Sequence, residues 1–333
     1  MTARIAINGF GRIGRGVLRA ALAREDDLEI IAVNDLADAA TLAHLLKFDS
    51  NLGTLPQTPR VEGDRMSLGE TEIRVLSERS PEKLPWGALG IDVVIESTGR
   101  FTDRDKAEAH LTAGARRVII SAPASNADLT IAYGVNHDRF DPAVHTILSN
   151  ASCTTNCLAP MAKVLDEAFG VVHGTMLTVH AYTQDQNLQD GPHRDLRRAR
   201  AAAQNLVPTS TGAAKSIGLV LPSLKGRLDG YALRIPTPVG SLTDLTVEVS
   251  RDTDVAEVNA VYAAAADGAL RGVLDYTEAA IVSSDIVGSR ASCIFDAGLT
   301  KVIDSRHVKI CGWYDNETGF SNRLLDTALH IVS

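Results

Sequence analysis

Short apolar runs alternate with helical stretches through the first half of the chain. Arg4-Ile5-Ala6-Ile7 reads as a strand, and a glycine turn follows it. Helical spacing then runs from Arg12 to about Arg24, before a second strand from Glu29 to Val33 that ends at Asn34-Asp35. Ile91 to Glu96 is a continuous apolar run, as in strands buried on both faces. Thr102-Asp103-Arg104-Asp105 has the form of an N-cap with an acidic first turn, and Gly114 takes the C′ position of the helix so begun. Val118 to Ser121 supplies a further strand, stopped by Ala122-Pro123. Strand-then-helix units joined by short connections predict a doubly wound, mostly parallel sheet of the dinucleotide-binding kind.

The second half has another texture. Leu245 to Val249 alternates strictly, as a half-exposed antiparallel strand does, and Val171 to His180, Gly230 to Ile235 and Val308 to Trp313 are further strands. Helices are expected at Ala151 to Phe169, Thr211 to Leu221, Val255 to Ala266 and Ser321 to Val332. The expectation is therefore an α/β chain in two parts: a dinucleotide-binding domain over 1–150, then an α+β catalytic domain over 151–314 with a mostly antiparallel sheet. No internal repeat or low-complexity linker interrupts them.

Composition narrows the function classes. A length of 333 residues suits two domains, and 45% hydrophobic with 22% charged residues is a globular composition. A net charge of −8 argues against nucleic-acid binding through a general basic field, and this also weighs against such a role for the basic run His193 to Arg200. No apolar run approaches the ~18 residues of a membrane span, and Met1 to Ile7 does not read as a signal peptide. The four cysteines lack a paired framework, which suggests a reduced, cytoplasmic protein.

Two motifs carry chemistry. Gly9-Phe10-Gly11-Arg12-Ile13-Gly14 is a G-x-G-x-x-G between a strand and a helix. Its glycines serve a tight turn, backbone approach to a pyrophosphate and close helix packing, and the phosphates sit on the free N–H groups of the helix N-terminus. Asp35 ends the second strand roughly 20 residues further on, where a carboxylate bonds ribose hydroxyls and repels a 2′-phosphate; NAD is the expected cofactor.

The other motif is Ser149 to Cys157, ahead of an apolar helical run. It puts Cys153 at a helix N-terminus. A free thiol is only ~3% thiolate at pH 7. The helix dipole contributes roughly 0.3–1 kcal/mol, too little on its own, so a nucleophilic Cys153 needs a histidine partner. Nine histidines are available and spacing does not choose among them; His180, ending an apolar strand, is well placed. Cys157, one turn further along the helix, reads as a buried small hydrophobe.

Together with Pro208 to Lys215 and Trp313 to Glu317, these segments resemble phosphorylating glyceraldehyde-3-phosphate dehydrogenase of the NAD-preferring type, in order along essentially the whole chain. The resemblance implies Cys153 as nucleophile and His180 as its base. It implies NAD contacts at Arg12, Ile13, Asp35, Arg79, Ser121 and Asn316, and phosphate binding by Ser152, Thr154, Thr183, Arg198, Thr211, Gly212 and Arg234. Leu36 and Pro192 match the NAD-preferring members. The implied partners are glyceraldehyde 3-phosphate, inorganic phosphate and further copies of the chain in a homotetramer. The last helix, about 315–333, is expected to return to the first domain.

The chain departs from the family pattern at Thr318-Gly319-Phe320, at Leu52 and Leu55, at Ser80 and at Cys311-Gly312. None of these removes a catalytic group. Two readings stand for Thr318 and Phe320, which lie beside Asn316: neutral drift, or an isoform whose altered pocket disfavours a cysteine-alkylating inhibitor. Rival functions are erythrose-4-phosphate dehydrogenase, with the same chemistry, and a non-catalytic binding protein that kept the fold.

Overall fold

The structure, a computed structural model, describes residues 2–333. The chain divides into two compact units. The first runs through Tyr133, takes up His137–Ala151 and ends with Ser321–Ser333; the second comprises Gly134–Asn136 and Ser152–Phe320. The division falls one residue after the expected boundary, and residues 315–320 go with the second unit.

In the first unit the sheet strands are β1 (Ala3–Asn8), β2 (Leu28–Asn34), β3 (Arg60–Glu62), β4 (Arg65–Leu68), β5 (Thr71–Leu76), β6 (Val93–Glu96), β7 (Arg117–Ile120), β8 (Leu129–Thr130) and β9 (Ile147–Ser149). The helices are α1 (Arg12–Leu22), α2 (Ala39–Lys47) and α3 (Arg104–Thr112). The strand order is β8-β9-β7-β6-β1-β2-β5-β4-β3. It is parallel from β8 to β5 and antiparallel beyond. Chain order reverses between β1 and β6, the topological switch point where such sheets bind ligands. Register there pairs Asn8 with both Glu96 and Asn34, so the C-terminal ends of three strands stand side by side.

Burial explains why this centre holds. Ile5, Ile7, Val93, Val94 and Ile95 are fully buried, each contributing roughly 1.5–3 kcal/mol of apolar transfer. α1 lies close on the sheet because Gly14 has no side chain; a Cβ there would stand 2.1 Å from the Gly9 carbonyl oxygen. α3 starts where Asp103 caps the Asp105 N–H at 3.0 Å. The antiparallel extension β3–β5 and helix α2 went unread in the sequence. β4 and β5 do alternate, burying Met66, Leu68, Ile73 and Val75, with turns at Gly63 and Gly69 in left-handed conformations.

In the second unit the strands are β10 (Val171–Ala181), β11 (Val207–Ser210), β12 (Leu228–Ile235), β13 (Ser241–Val249), β14 (Leu274–Thr277), β15 (Cys293–Asp296), β16 (Lys301–Ile303) and β17 (His307–Tyr314). Their order is β11-β12-β10-β13-β17-β15-β14, with β16 on β17. Pairing is mostly antiparallel; β10–β12 and β14–β15 are the parallel pairs. The helices are α4 (Cys153–Phe169), α5 (Ala213–Val220) and α6 (Val255–Asp267), and α7 (Thr318–Val332) closes the chain. α7 begins three residues earlier than expected because Asp315 Oδ1 accepts from the N–H groups of Glu317 and Thr318 at 2.8 Å. From Ser321 onward α7 belongs to the first unit, where Asp326 pairs with Arg24 at 2.6 Å and Thr327 donates to Asn150 at 2.8 Å. No helix of the described residues is long and apolar enough to cross a membrane.

Candidate active site and dinucleotide turn

α4 begins at Cys153 rather than Ala151 because Ser152 is its N-cap: the Ser152 hydroxyl accepts from the Thr155 N–H at 3.0 Å. Ala151, just before, is held at φ +56°, a left-handed backbone that costs an alanine about 1–2 kcal/mol. Capping leaves the first-turn N–H groups at Cys153 and Thr154 directed out of the helix end. Cys153 Sγ stands 3.4 Å from Nε2 of His180, near the end of β10. The other ring nitrogen, Nδ1, is 2.7 Å from the Ala181 carbonyl oxygen, which can only accept, and 3.0 Å from Arg234 Nη1, whose two hydrogens go to that carbonyl and to Thr183; Nδ1 therefore carries the hydrogen and Nε2 presents its lone pair to the thiol. Arg234 Nη1 donates to the same carbonyl at 2.9 Å and to Thr183 Oγ1 at 3.0 Å.

Electrostatics pull the pair in two directions. Burial pushes the Cys153 thiol up to about 11, with the Arg234 cation acting to lower it. Burial, and then Arg234, push His180 down to about 3. Separately, each group favours its neutral form. Their mutual attraction is worth about 5 kcal/mol for unit charges at such a distance with an effective dielectric of ~20. That is smaller than the roughly 11 kcal/mol that the gap between the two values represents, so the pair rests neutral and the proton moves only as the sulfur attacks. Behind the ring, Tyr314 holds its hydroxyl 2.9 Å from Thr154 Oγ1 and 2.8 Å from Thr178 Oγ1, its ring edge-on to His180.

A cationic cradle extends from this pair. Arg198 Nε donates to Thr209 at 2.9 Å and Nη2 to the Ser210 carbonyl at 3.2 Å, while Nη1 pairs with Asp185, which also accepts from Thr183. The Arg234 Nε is buried and has no partner among the described residues, a donor left for an anion. Thr183, Arg198 and Arg234 thus meet beside His180. Thr211 and Gly212 lie in the same unit at the start of α5, where Thr211 Oγ1 accepts from Ala213 N–H at 3.2 Å. Asp185 and Thr209 had no signal in the sequence beyond their nearness to Thr183 and Thr211, and Tyr314 stood in a motif without a role.

The other cysteines are sealed. Cys157 and Cys293 are fully buried and Cys311 nearly so. Burial raises the Cys293 thiol well above its ordinary value and Cys311 to about 12. The space is so tight that a Cβ on Gly312 would lie 2.5 Å from Cys293 Sγ and 2.6 Å from Met161 Sδ.

In the first unit, Gly11 is the N-cap of α1, with no side-chain cap and no acidic residue in the first turn. A Cβ on Gly11 would meet nothing within 4 Å, whereas one on Gly9 would lie 2.6 Å from the Thr98 nitrogen. The α1 N-terminus thus has open space at Gly11 and no side-chain cap above a tight turn, which fits a dinucleotide pyrophosphate. Asp35 accepts from the Phe10 N–H at 2.8 Å and from Ala37 N–H at 3.0 Å, keeping acceptor positions for a ribose. Arg12 pairs with Asp49 at 2.5 Å, Ser121 follows β7, and Arg79 is exposed beyond β5. Asn316 belongs to the second unit, buried, its Oδ1 accepting from Gly240 N–H and Ser241 Oγ at 3.1 Å.

Fold and site define a class: a doubly wound dinucleotide-binding unit followed by an α+β unit with a cysteine–histidine pair at a helix N-terminus. The comparisons agree. Residues 3–104 match the family model described as the NAD binding domain of glyceraldehyde 3-phosphate dehydrogenase, and 152–316 match its C-terminal domain. Glyceraldehyde-3-phosphate dehydrogenase 1 of Streptomyces avermitilis is 64% identical over 99% of this chain and 98% of its own. The Mycobacterium avium enzyme is 61% identical over 98% and 97%, and glyceraldehyde-3-phosphate dehydrogenase 2 of Streptomyces arenae is 62% identical over 100% and 99%. The chain belongs to the glyceraldehyde-3-phosphate dehydrogenase family, and its cofactor is NAD.

Proposed function

We propose that the chain oxidises glyceraldehyde 3-phosphate to 1,3-bisphosphoglycerate with NAD and inorganic phosphate, with Cys153 as nucleophile and His180 as its base. The observation that carries this is the 3.4 Å approach of Cys153 Sγ to a His180 Nε2 whose tautomer is set by Ala181. Cys153 attacks the aldehyde carbon as its proton passes to Nε2, giving a thiohemiacetal whose oxygen is stabilised by the Cys153 N–H and the His180 cation. Bound NAD supplies the two-electron acceptor that converts this adduct to a thioester. The glycine turn, Arg12, Ile13, Asp35, Arg79, Ser121 and Asn316 hold the cofactor. The His180 cation hands its proton to the adduct oxygen, completing the hydroxyl, and takes that proton back during oxidation. Phosphate oxygen then attacks the thioester carbon and Cys153 leaves as thiolate, releasing the acyl phosphate. Ser152, Thr154, Thr183, Arg198, Thr211, Gly212 and Arg234 bind the two phosphate groups, and the orphaned Arg234 Nε supports this.

We read the protein as a cytoplasmic homotetramer. Leu188, Leu196 and Leu206, 79%, 81% and 65% exposed between β10 and β11, support burial against another copy. Sedimentation at micromolar concentration should give four chains per particle. The activity is tested by NADH absorbance with glyceraldehyde 3-phosphate or erythrose 4-phosphate, with and without inorganic phosphate. Strict phosphate dependence with preference for the triose is expected. Preference for the tetrose favours the erythrose-4-phosphate enzyme, and no signal at high protein favours a binding role. Alkylation with peptide mapping should label Cys153 alone. For the departures at Thr318 and Phe320, inactivation by an electrophilic substrate mimic is compared with a Thr318→Trp/Phe320→Tyr variant; equal rates leave neutral drift.

A further inference from the structure

At the switch point of the first unit lies a buried polar relay that the reaction does not use. Glu96, at the end of β6, and His110, on α3, are almost wholly enclosed. The Trp86 indole N–H donates to His110 Nδ1 at 3.0 Å, so the hydrogen on the ring sits at Nε2, which donates to Glu96 Oε2 at 3.0 Å. The same oxygen accepts from the Asn8 amide at 2.5 Å, and Asn8 Oδ1 accepts from the Asn34 amide at 2.7 Å. The other oxygen, Oε1, accepts from the Thr98 N–H at 2.8 Å and the Thr98 hydroxyl at 2.5 Å. One carboxylate therefore ties together the C-terminal ends of β6, β1 and, through Asn8, β2. These ends carry Gly9 and Asp35, and Thr98 is the residue whose backbone Gly9 approaches.

We infer that Glu96 is a positioning residue for NAD, its carboxylate holding the glycine turn and the Asp35 strand end in the spacing the dinucleotide requires. Every donor around it points inward, so no neutral amide can replace it without setting an N–H against an N–H. The inference rests on the reading that NAD binds at the glycine turn.

The test is NAD affinity by titration calorimetry, well below the melting temperature, in the full chain and three variants. Glu96→Gln should weaken NAD binding at least tenfold while kcat at saturating NAD stays within threefold. Asn8→Asp/Glu96→Gln reverses the polarity of the central bond and keeps the charge. The carboxylate at position 8 then accepts from the new amide, from Asn34 and from His110 Nε2, 3.4 Å from the Asn8 nitrogen. It should restore affinity to within threefold of the parent. Trp86→Phe, at the far end of the relay, should weaken binding two- to fivefold and speed amide exchange at Gly9 and Gly11.

Glu96→Gln affinity within twofold of the parent, or no recovery in the double variant, overturns the inference. If Glu96→Gln does not fold, parental affinity and exchange in Trp86→Phe overturn it. A parent chain that does not bind NAD overturns the glycine-turn reading and this inference with it.

Discussion

His180→Asn isolates what the imidazole does for Cys153. Without it the thiol keeps the burial that pushes it up to about 11, opposed by Arg234. At pH 7 such a group is ~10⁻⁴ thiolate, against ~3% for an ordinary cysteine, about 300-fold less. A more basic thiolate is a better nucleophile, which recovers roughly tenfold, leaving alkylation about 30-fold slower than at a free cysteine. The parent, in which neutral Nε2 takes the proton as the sulfur attacks, should be faster than a free cysteine. The expected loss is therefore at least ~100-fold at pH 7. The assay is the second-order rate with iodoacetamide, a neutral reagent that the arginines neither attract nor repel. The parent rate should change little around neutrality, while the variant rate should rise tenfold per pH unit towards the alkaline limit. A variant rate within threefold of the parent at pH 7, with the same pH profile, would refute the argument.

Asp35→Ser should raise the KM for NAD at least tenfold and the NADP-to-NAD ratio of kcat/KM by more than tenfold; an unchanged ratio removes Asp35 as the discriminator. Asp128 is held down at about 2: burial raises it, but Arg104 and the amides of Ile147 and Thr146 outweigh burial. Its folded-state pKa lies below the unfolded value, so its contribution is complete above about pH 4 and fades as pH falls towards 2. Asp128→Asn should therefore cost about 1–2 kcal/mol of stability in urea unfolding at pH 7 and about a third of that at pH 2.5; an equal cost at both pH values contradicts the assignment.

What the chain disclosed before folding was mostly local. Gly9 to Gly14, the cap at Ser152 and the alternation of β13 act through neighbours a few residues away, and periodicity or turn chemistry exposes them. The parallel pairing of β10 with β12 was not legible, since nothing within Val171–Ala181 records that it lies beside Leu228–Ile235. The same holds inside the site. Spacing left nine histidines open, and it is the long strand β10 that carries His180 back to the start of α4. Asp185 and Thr209 gain their places only when Arg198 bridges them. Glu96 reads in the sequence as the polar end of an apolar strand, and its role emerges from residues 88 and 14 positions away.

The crowding around Gly312 bears on how the protein ages. Cys157 and Cys293 are wholly enclosed, and a methyl carbon at Gly312 would already collide with Cys293 Sγ and Met161 Sδ, so solvent-borne oxidants do not reach these sulfurs in the folded chain. Cys153, the one cysteine that is not buried, is the sulfur left open to peroxide, and with the role proposed for it a sulfenic acid there would stop turnover while the fold stands, a change that a reducing thiol reverses.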